Sequence, residues 1–281
     1  MVFKKIGLAL AFSPTAEAML AEAYRLTLQL EGQLILIHVA PHGETEERQL
    51  AALLEATGIA GDQVRTVWEA GEPTKAILRV CKNESIDLLI TGALKKEKLV
   101  QYYLGTIARK LLRKAPCSVL TLVNPRPFKN IVVDAEDSPF IMQTLTVACH
   151  FGQKEKAAWV HIARDLKMYG LTMAASDQCS EEEYDQTRHQ LVRDEIEKVE
   201  RLLGHVAHQG LKINIKITSG KAGFELAKFA QRKNADLLVV AAPPRKFSFL
   251  DRVFPHDLEY ILADLPCNLL VVHPPASKSS Q

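Results

Sequence analysis

Lys4-Lys5-Ile6-Gly7-Leu8-Ala9-Leu10-Ala11-Phe12-Ser13-Pro14 and Lys129-Asn130-Ile131-Val132-Val133-Asp134-Ala135-Glu136-Asp137-Ser138-Pro139 share one pattern: a basic start, a short apolar run, then Ser-Pro. Four further pairs follow in the same order. Ile37-His38-Val39 matches Val160-His161-Ile162, and Ala70-Gly71-Glu72-Pro73 matches Ser219-Gly220-Lys221-Ala222. Ile86-Asp87-Leu88-Leu89-Ile90 matches Ala235-Asp236-Leu237-Leu238-Val239, and Ala115-Pro116-Cys117-Ser118-Val119-Leu120 matches Leu265-Pro266-Cys267-Asn268-Leu269-Leu270. An ordered set of matches across both halves marks a duplicated unit.

The Pro-rich stretch Asn124-Pro125-Arg126-Pro127 separates the copies. The expected domains are 1–124 and 129–275, the second with an insertion near 164–180, followed by a disordered tail at 276–281. In the first copy, β-rich runs near 5–11, 33–39, 63–69, 87–92 and 118–123 alternate with helical patterns near 14–31, 44–57, 74–84 and 106–114. That alternation predicts an α/β fold, with parallel strands joined by helical crossovers. Leu34-Ile35-Leu36-Ile37 is apolar at every position, as a sheet covered by helices on both faces requires. In the second copy, Ser180-Glu181-Glu182-Glu183 reads as a capping box, and Val192, Ile196, Val199, Leu203 and Val206 form an amphipathic helical stripe.

The chain of 281 residues is long enough for two domains, each with its own core. Its net charge of +2 gives no global field toward nucleic acid or an anionic membrane, although a local basic patch stays open. No apolar run reaches the roughly 20 residues that span a bilayer. The start resembles a signal peptide, but the same pattern recurs at Lys129–Pro139, so both segments are expected to be buried first strands. Five scattered cysteines, with no CxxC pair, predict no disulfide framework and a reducing cytoplasm.

In such sheets ligands bind beyond the carboxyl ends of the strands. In the first copy Gly92-Ala93-Leu94-Lys95 is followed, nine residues on, by Gly105-Thr106 opening a helix. Glycine lets backbone N–H groups approach a phosphate, and a helix start adds free donors. Thr106 offers a hydroxyl and Lys95 a charge. The alternative is that Gly105-Thr106 is simply a helix start.

These motifs together resemble the universal stress protein family. The resemblance rests on the first strand ending toward Ser13-Pro14, Ile37-His38-Val39, Gly71-Glu72-Pro73, the loop from Gly92 to Gly105-Thr106, and Pro116-Cys117-Ser118-Val119. It implies two tandem five-stranded parallel-sheet domains of adenine-nucleotide α-hydrolase-like, Rossmann-like type. It also implies dimer-like pairing of the copies, here through Ser118–Val123 and Asn268–Val272, and in one branch of the family an adenine nucleotide such as ATP. The implied binding residues are Val39, Gly92, Gly105 and Thr106, and Lys95 is added for the charge it could offer a phosphate.

The departures are specific. Ala11 stands where the family has an acid, and Lys95 where it has a loop glycine. The second copy keeps Glu136 but has Ala241-Ala242-Pro243-Pro244-Arg245-Lys246 in its loop and Pro255-His256 in place of Gly105-Thr106. Proline supplies no N–H. The expectation is a modified site in the first copy, no catalytic centre, no metal, an unidentified protein partner and an open question of homodimerisation. The rival is a scaffold with decayed sites; nucleotide hydrolysis ranks last for want of a base. His38 and His161 are expected to be satisfied strand-end histidines, Cys117 and Cys267 packing residues, and Asp137 with Ser138 a helix cap rather than, with Asp134 and Glu136, a cation site. Cys149, His150, His189, His205 and His208 are expected on helix surfaces, Lys95–Lys98 in a solvated loop, and Arg245–Leu250 in a loop anchored by its aromatics.

Overall fold

A computed structural model describes residues 3–95, 102–166, 181–220, 222–243 and 256–273. The first copy runs β1 (Lys5–Leu10), α1 (Ala16–Gln29), β2 (Gln33–Val39), α2 (Glu44–Thr57), β3 (Val64–Glu69), α3 (Pro73–Asn83), β4 (Leu88–Gly92), a short pair β5 (Leu94–Lys95) and β6 (Tyr102–Tyr103), α4 (Thr106–Lys114) and β7 (Ser118–Leu122). The second runs β8 (Asn130–Asp134), α5 (Ile141–Lys154), β9 (Trp159–Asp165), α6 (Glu181–Leu203), β10 (Ile213–Thr218), α7 (Ala222–Arg232), β11 (Leu237–Ala241), α8 (His256–Ala263) and β12 (Asn268–Val272).

Each copy contributes five parallel strands, in the orders β3-β2-β1-β4-β7 and β10-β9-β8-β11-β12. The last strands pair antiparallel, Leu120 opposite Leu270, so one ten-stranded sheet crosses both copies. Alternate strand residues feed opposite faces. Leu34 and Leu36 join α1, α2, α5 and α6 on one face, whereas Ile35 and Ile37 join α3, α4, α7 and α8 on the other. Each core layer draws residues from both copies, and Leu120 and Leu270 are fully buried at the join. Complete burial of such a side chain stabilises by about 1.5–3 kcal/mol.

The repeated aspartate has a structural cause. Lys4 and Lys5 N–H donate to Asp87 at 2.9 Å, and Lys129 and Asn130 N–H donate to Asp236 at 2.8 Å. Each carboxylate satisfies the N–H groups that open the first strand of its copy. The helix pair α1 and α5 also closes the join: Arg25 donates to Glu155 at 2.9 Å, and the Glu155 carboxylate accepts Phe128 N–H at 3.2 Å.

Several expectations need correction. Asp137 and Ser138 do not cap α5, whose N-cap is Phe140 with no side-chain cap. Ser138 instead accepts Phe140 N–H at 3.3 Å in a local turn, and Asp137 is exposed. Cys149 is fully buried rather than superficial, and burial pushes its thiol up to about 11. Lys95 belongs to a strand, paired with Tyr102, and not to an open loop. Arg164 and Asp165, read as the start of the insertion, still belong to β9, paired with Ile217 and Thr218. Leu166 follows as buried coil, and residues 167–180, Lys96–Lys98, Arg245–Leu250, Pro255 and the tail lie outside the described residues.

Candidate functional site

The strand order reverses between β1 and β4, which opens a crevice beyond their carboxyl ends. Gly92 ends β4. A Cβ there would meet Met19 Cε at 3.7 Å, an ordinary contact, so packing does not demand glycine. Gly105 is different. Its extended backbone (φ −66°) suits any residue, but a Cβ would lie 2.7 Å from Leu94 Cδ1. The structure therefore brings the loop after Gly92 against Gly105 through Leu94, and a Cβ at Gly105 would have to turn that half-exposed side chain aside. Thr106 is the exposed first residue of α4. Val39 ends β2, two strands from β4, half-buried on the α3 face. The Lys95 side chain lies outside the described residues.

Two helix starts flank this region, in opposite states. At α3, Glu72 accepts Thr74 N–H at 3.3 Å and Lys75 N–H at 2.9 Å. The Lys75 N–H bond, with help from Thr74, holds this exposed carboxyl below its ordinary range. At α4, Gly105 is the N-cap, and no side chain among the described residues caps the helix. A helix start leaves N–H groups without intrahelical partners and carries the positive end of the helix dipole. Lys110 lies one turn further on, exposed.

The arm between Gly92 and Gly105 also touches the second copy. Leu265 N–H donates to the Tyr102 carbonyl at 2.9 Å, and Leu104 N–H donates to the Leu262 carbonyl at 3.3 Å. Arg109 reaches Glu259 at 2.9 Å, and Arg113 pairs with the same carboxylate. Two-residue strands carry too little periodicity for the sequence to reveal this arm.

A group of rings at the ends of β1, β2 and β3 was also missed. Phe12 lies 4.3 Å from His38, His38 meets Trp68 edge-on at 5.3 Å, and His42 stacks on Trp68 at 4.7 Å. Only strand register brings these positions together. The one available signal was that each lies near the carboxyl end of a strand. His38 Nδ1 donates to the Leu10 carbonyl at 3.0 Å, which fixes it as the satisfied strand-end histidine that was expected. His161 Nδ1 likewise accepts from the Asn214 amide at 3.1 Å, and burial, then Lys233, lowers its pKa.

In the second copy the corresponding crevice meets an internal cation. The buried Arg164 donates to the Ala135 carbonyl at 2.7 Å and to Glu195 of α6 at 2.8 Å, and lies 3.7 Å from Asp137. Burial, then the charges of Glu136 and Asp165, raises Asp134 to about 7. Among the described residues no group of three or more His, Cys, Asp or Glu side chains is placed to hold a metal ion. Cavities of about 260 and 430 Å³ lie between α6 and β10, both lined by Ile196 and Ile215; the first extends to Leu166 and Ser219, just past the ends of β9 and β10. Cys117 and Cys267 are buried; burial pushes Cys267 up to about 12, and contact with Cys81, then burial, raises Cys117. No helix among the described residues is long and apolar enough to cross a membrane.

Comparison with known proteins agrees with this architecture. The model of the universal stress protein family matches residues 2–122 and again 127–273. A solved protein of unknown function from Pseudomonas aeruginosa PAO1 is similar over 97% of this chain and 93% of its own, at 18% identity and a TM-score of 0.70. A universal stress protein from Archaeoglobus fulgidus DSM 4304 is similar over 95% of this chain and 98% of its own, at 14% identity and a TM-score of 0.67. At such identities the solved structures speak for the fold alone. No curated protein sequence matches significantly. With a family match in each half, this chain belongs to the universal stress protein family, in its tandem two-domain form.

Proposed function

We propose that this tandem module binds an adenine nucleotide in its first copy only, and passes the bound state to a protein partner in a reducing cytoplasm without turning the nucleotide over. The observation that carries this reading is the uncapped, solvent-facing start of α4 at Gly105-Thr106, beside the end of β4. Phosphate oxygens would accept its free N–H groups in a favourable dipole. The neighbouring start of α3 offers no such place, because Glu72 already occupies it. Val39 would lie toward the base and Gly92 would let the backbone approach. Lys95 is assigned the phosphate charge on sequence grounds.

The arm that carries Tyr102 and Leu104 gives the bound state a route to the second copy. Ala11 supplies no carboxylate for a ribose hydroxyl, a bond whose charged form contributes about 1.5–3 kcal/mol. Affinity is therefore expected to be weak.

Titration of labelled ATP into wild type and Thr106→Asp tests the reading. Aspartate at the first helical position favours the helix but repels phosphate. The expected result is a loss of roughly tenfold or more in affinity at unchanged melting temperature. Absence of binding to wild type at millimolar ATP sinks the proposal. A scaffold reading then takes its place, favoured by the packing of Leu94 beside Gly105.

A further inference from the structure

The helices α3 and α4 pack side by side on one face of the first copy, and their own charged residues are all cations; the one carboxylate at the helix starts is Glu72, which caps α3 and feels the charge of Lys110. The α3 helix contributes Lys75, Arg79 and Lys82; α4 contributes Arg109, Lys110, Arg113 and Lys114; neither contains a carboxylate. Ala76, Ile77, Val80, Leu111 and Leu112 face the sheet, so the cations form the outer coat. Arg79 is neutralised by Glu69, and Arg109 and Arg113 by Glu259. Among the described residues Lys75, Lys82 and Lys110 form no ion pair. Within this coat lies an apolar side chain, Ile107, 44% exposed and one helical turn before Lys110.

The second copy is an internal control. Its α7 and α8 occupy the same place, yet they carry Lys228 and Arg232 against Glu225, Asp257 and Glu259. The same fold therefore stands without a cationic coat. Like charges close together on helices cost stability; Glu69 and Glu259 account for the three arginines, but among the described residues no ion pair accounts for Lys75, Lys82 and Lys110.

We infer that the outer face of α3 and α4 is a docking surface for an acidic, amphipathic segment of a partner protein. Charge complementarity selects the sign of the partner: carboxylates would neutralise Lys75 and Lys82, and would add to Glu72 beside Lys110. The apolar contact selects its class. A polynucleotide needs rows of cations along its phosphates and gains nothing from Ile107, whereas an amphipathic helix would set an apolar residue on Ile107 and carboxylates on either side. The net charge of +2 provides no long-range pull on a polynucleotide. This inference names a partner chemistry and stands whether or not a nucleotide binds at Gly105.

The test uses the full chain and a fluorescein-labelled helical peptide with leucines on one face and glutamates on both flanks. Anisotropy is read at physiological salt, where exposed charge pairs alone are largely screened. Saturable binding is expected, weakened roughly tenfold or more by Lys75→Glu with Lys110→Glu, and several-fold by Ile107→Ser. Lys228→Glu, in the second copy, is expected to leave binding unchanged, and circular dichroism checks that each variant folds. No saturable binding of the peptide overturns the proposal. So does equal binding of a single-stranded oligonucleotide or of phosphatidylserine vesicles that is indifferent to Ile107→Ser.

Discussion

Val123 N–H donates to Asn268 Oδ1 at 2.7 Å, across the junction of the two copies. The same oxygen accepts Asn124 N–H at 3.1 Å, while the Asn268 amide donates to the carbonyls of Asn124 and Asp236 at 3.2 and 2.8 Å. One buried side chain thus fastens the end of β7, the linker and β11. Its counterpart in the repeat, Ser118, does less: it accepts His273 N–H at 3.1 Å. Asn268→Ala strands several buried polar groups, each costing about 1–3 kcal/mol. Calorimetry is expected to show a larger loss for Asn268→Ala than for Ser118→Ala, with Asn268→Ser between them.

Arg25 and Glu155 test the second contact between the copies. The Glu155 side chain is only 1% exposed, that of Arg25 28%. Arg25→Met leaves a buried carboxylate without its cation, and removing one partner of such a pair costs about 3–5 kcal/mol. Adding Glu155→Gln should recover part of the loss. A double-mutant cycle from denaturant melts measures the coupling; strict additivity would contradict the pairing.

The pH dependence of stability should carry the mark of Asp134. Its folded pKa is raised to about 7, with burial the leading cause, above the ordinary carboxylate value. A raised acid favours the folded state while protonated. Its contribution is fully present below the unfolded pKa and is lost as pH rises toward about 7. Asp134→Asn removes that decline. The variant is expected to melt above wild type at pH 8, with the gap closing at pH 4; an unchanged gap across that range contradicts it.

Leu94 should act as a brake on the first-copy site. It lies against Gly105 and is 51% exposed, so its removal sacrifices little buried surface. Leu94→Ala is expected to strengthen ATP binding several-fold with less than about 1 kcal/mol of stability lost. Gly105→Ala should have the opposite effect on binding. Paired titrations and melts decide both.

Much of the fold was legible because long elements repeat their period. The apolar run Leu34–Ile37 announced a strand buried on both faces, and the helix expected near 44–57 is α2 over the same residues. The repeat of the motif around Cys117 at Cys267 marked the final strands as equivalent, but their pairing was expected only from the family resemblance. The Arg25–Glu155 pair was not legible, since 130 residues separate its partners. Neither was the role of Asn268, which reads as the start of a strand. At the candidate site, Gly92 and Gly105 were found by spacing, but the packing of Leu94 on Gly105 arises only when two-residue strands fold back. The cationic coat was visible in principle, because α3 and α4 contain no acid, but its significance needed the comparison with α7 and α8.

The antiparallel pairing of β7 with β12 also fixes the outlook of the two halves. Within each copy the strands run the same way, so the first copy's strand ends open on one rim of the sheet and the second copy's on the opposite rim. A molecule held at Gly105 cannot touch one held beside Glu136. No compact ligand can bridge the two mouths, and a partner that clasps one rim leaves the other in open solvent. Among the described residues the two halves meet at the shared seam, at the arm of Tyr102 and at the Arg25–Glu155 and Arg109–Glu259 pairs, all of them away from at least one of the two rims.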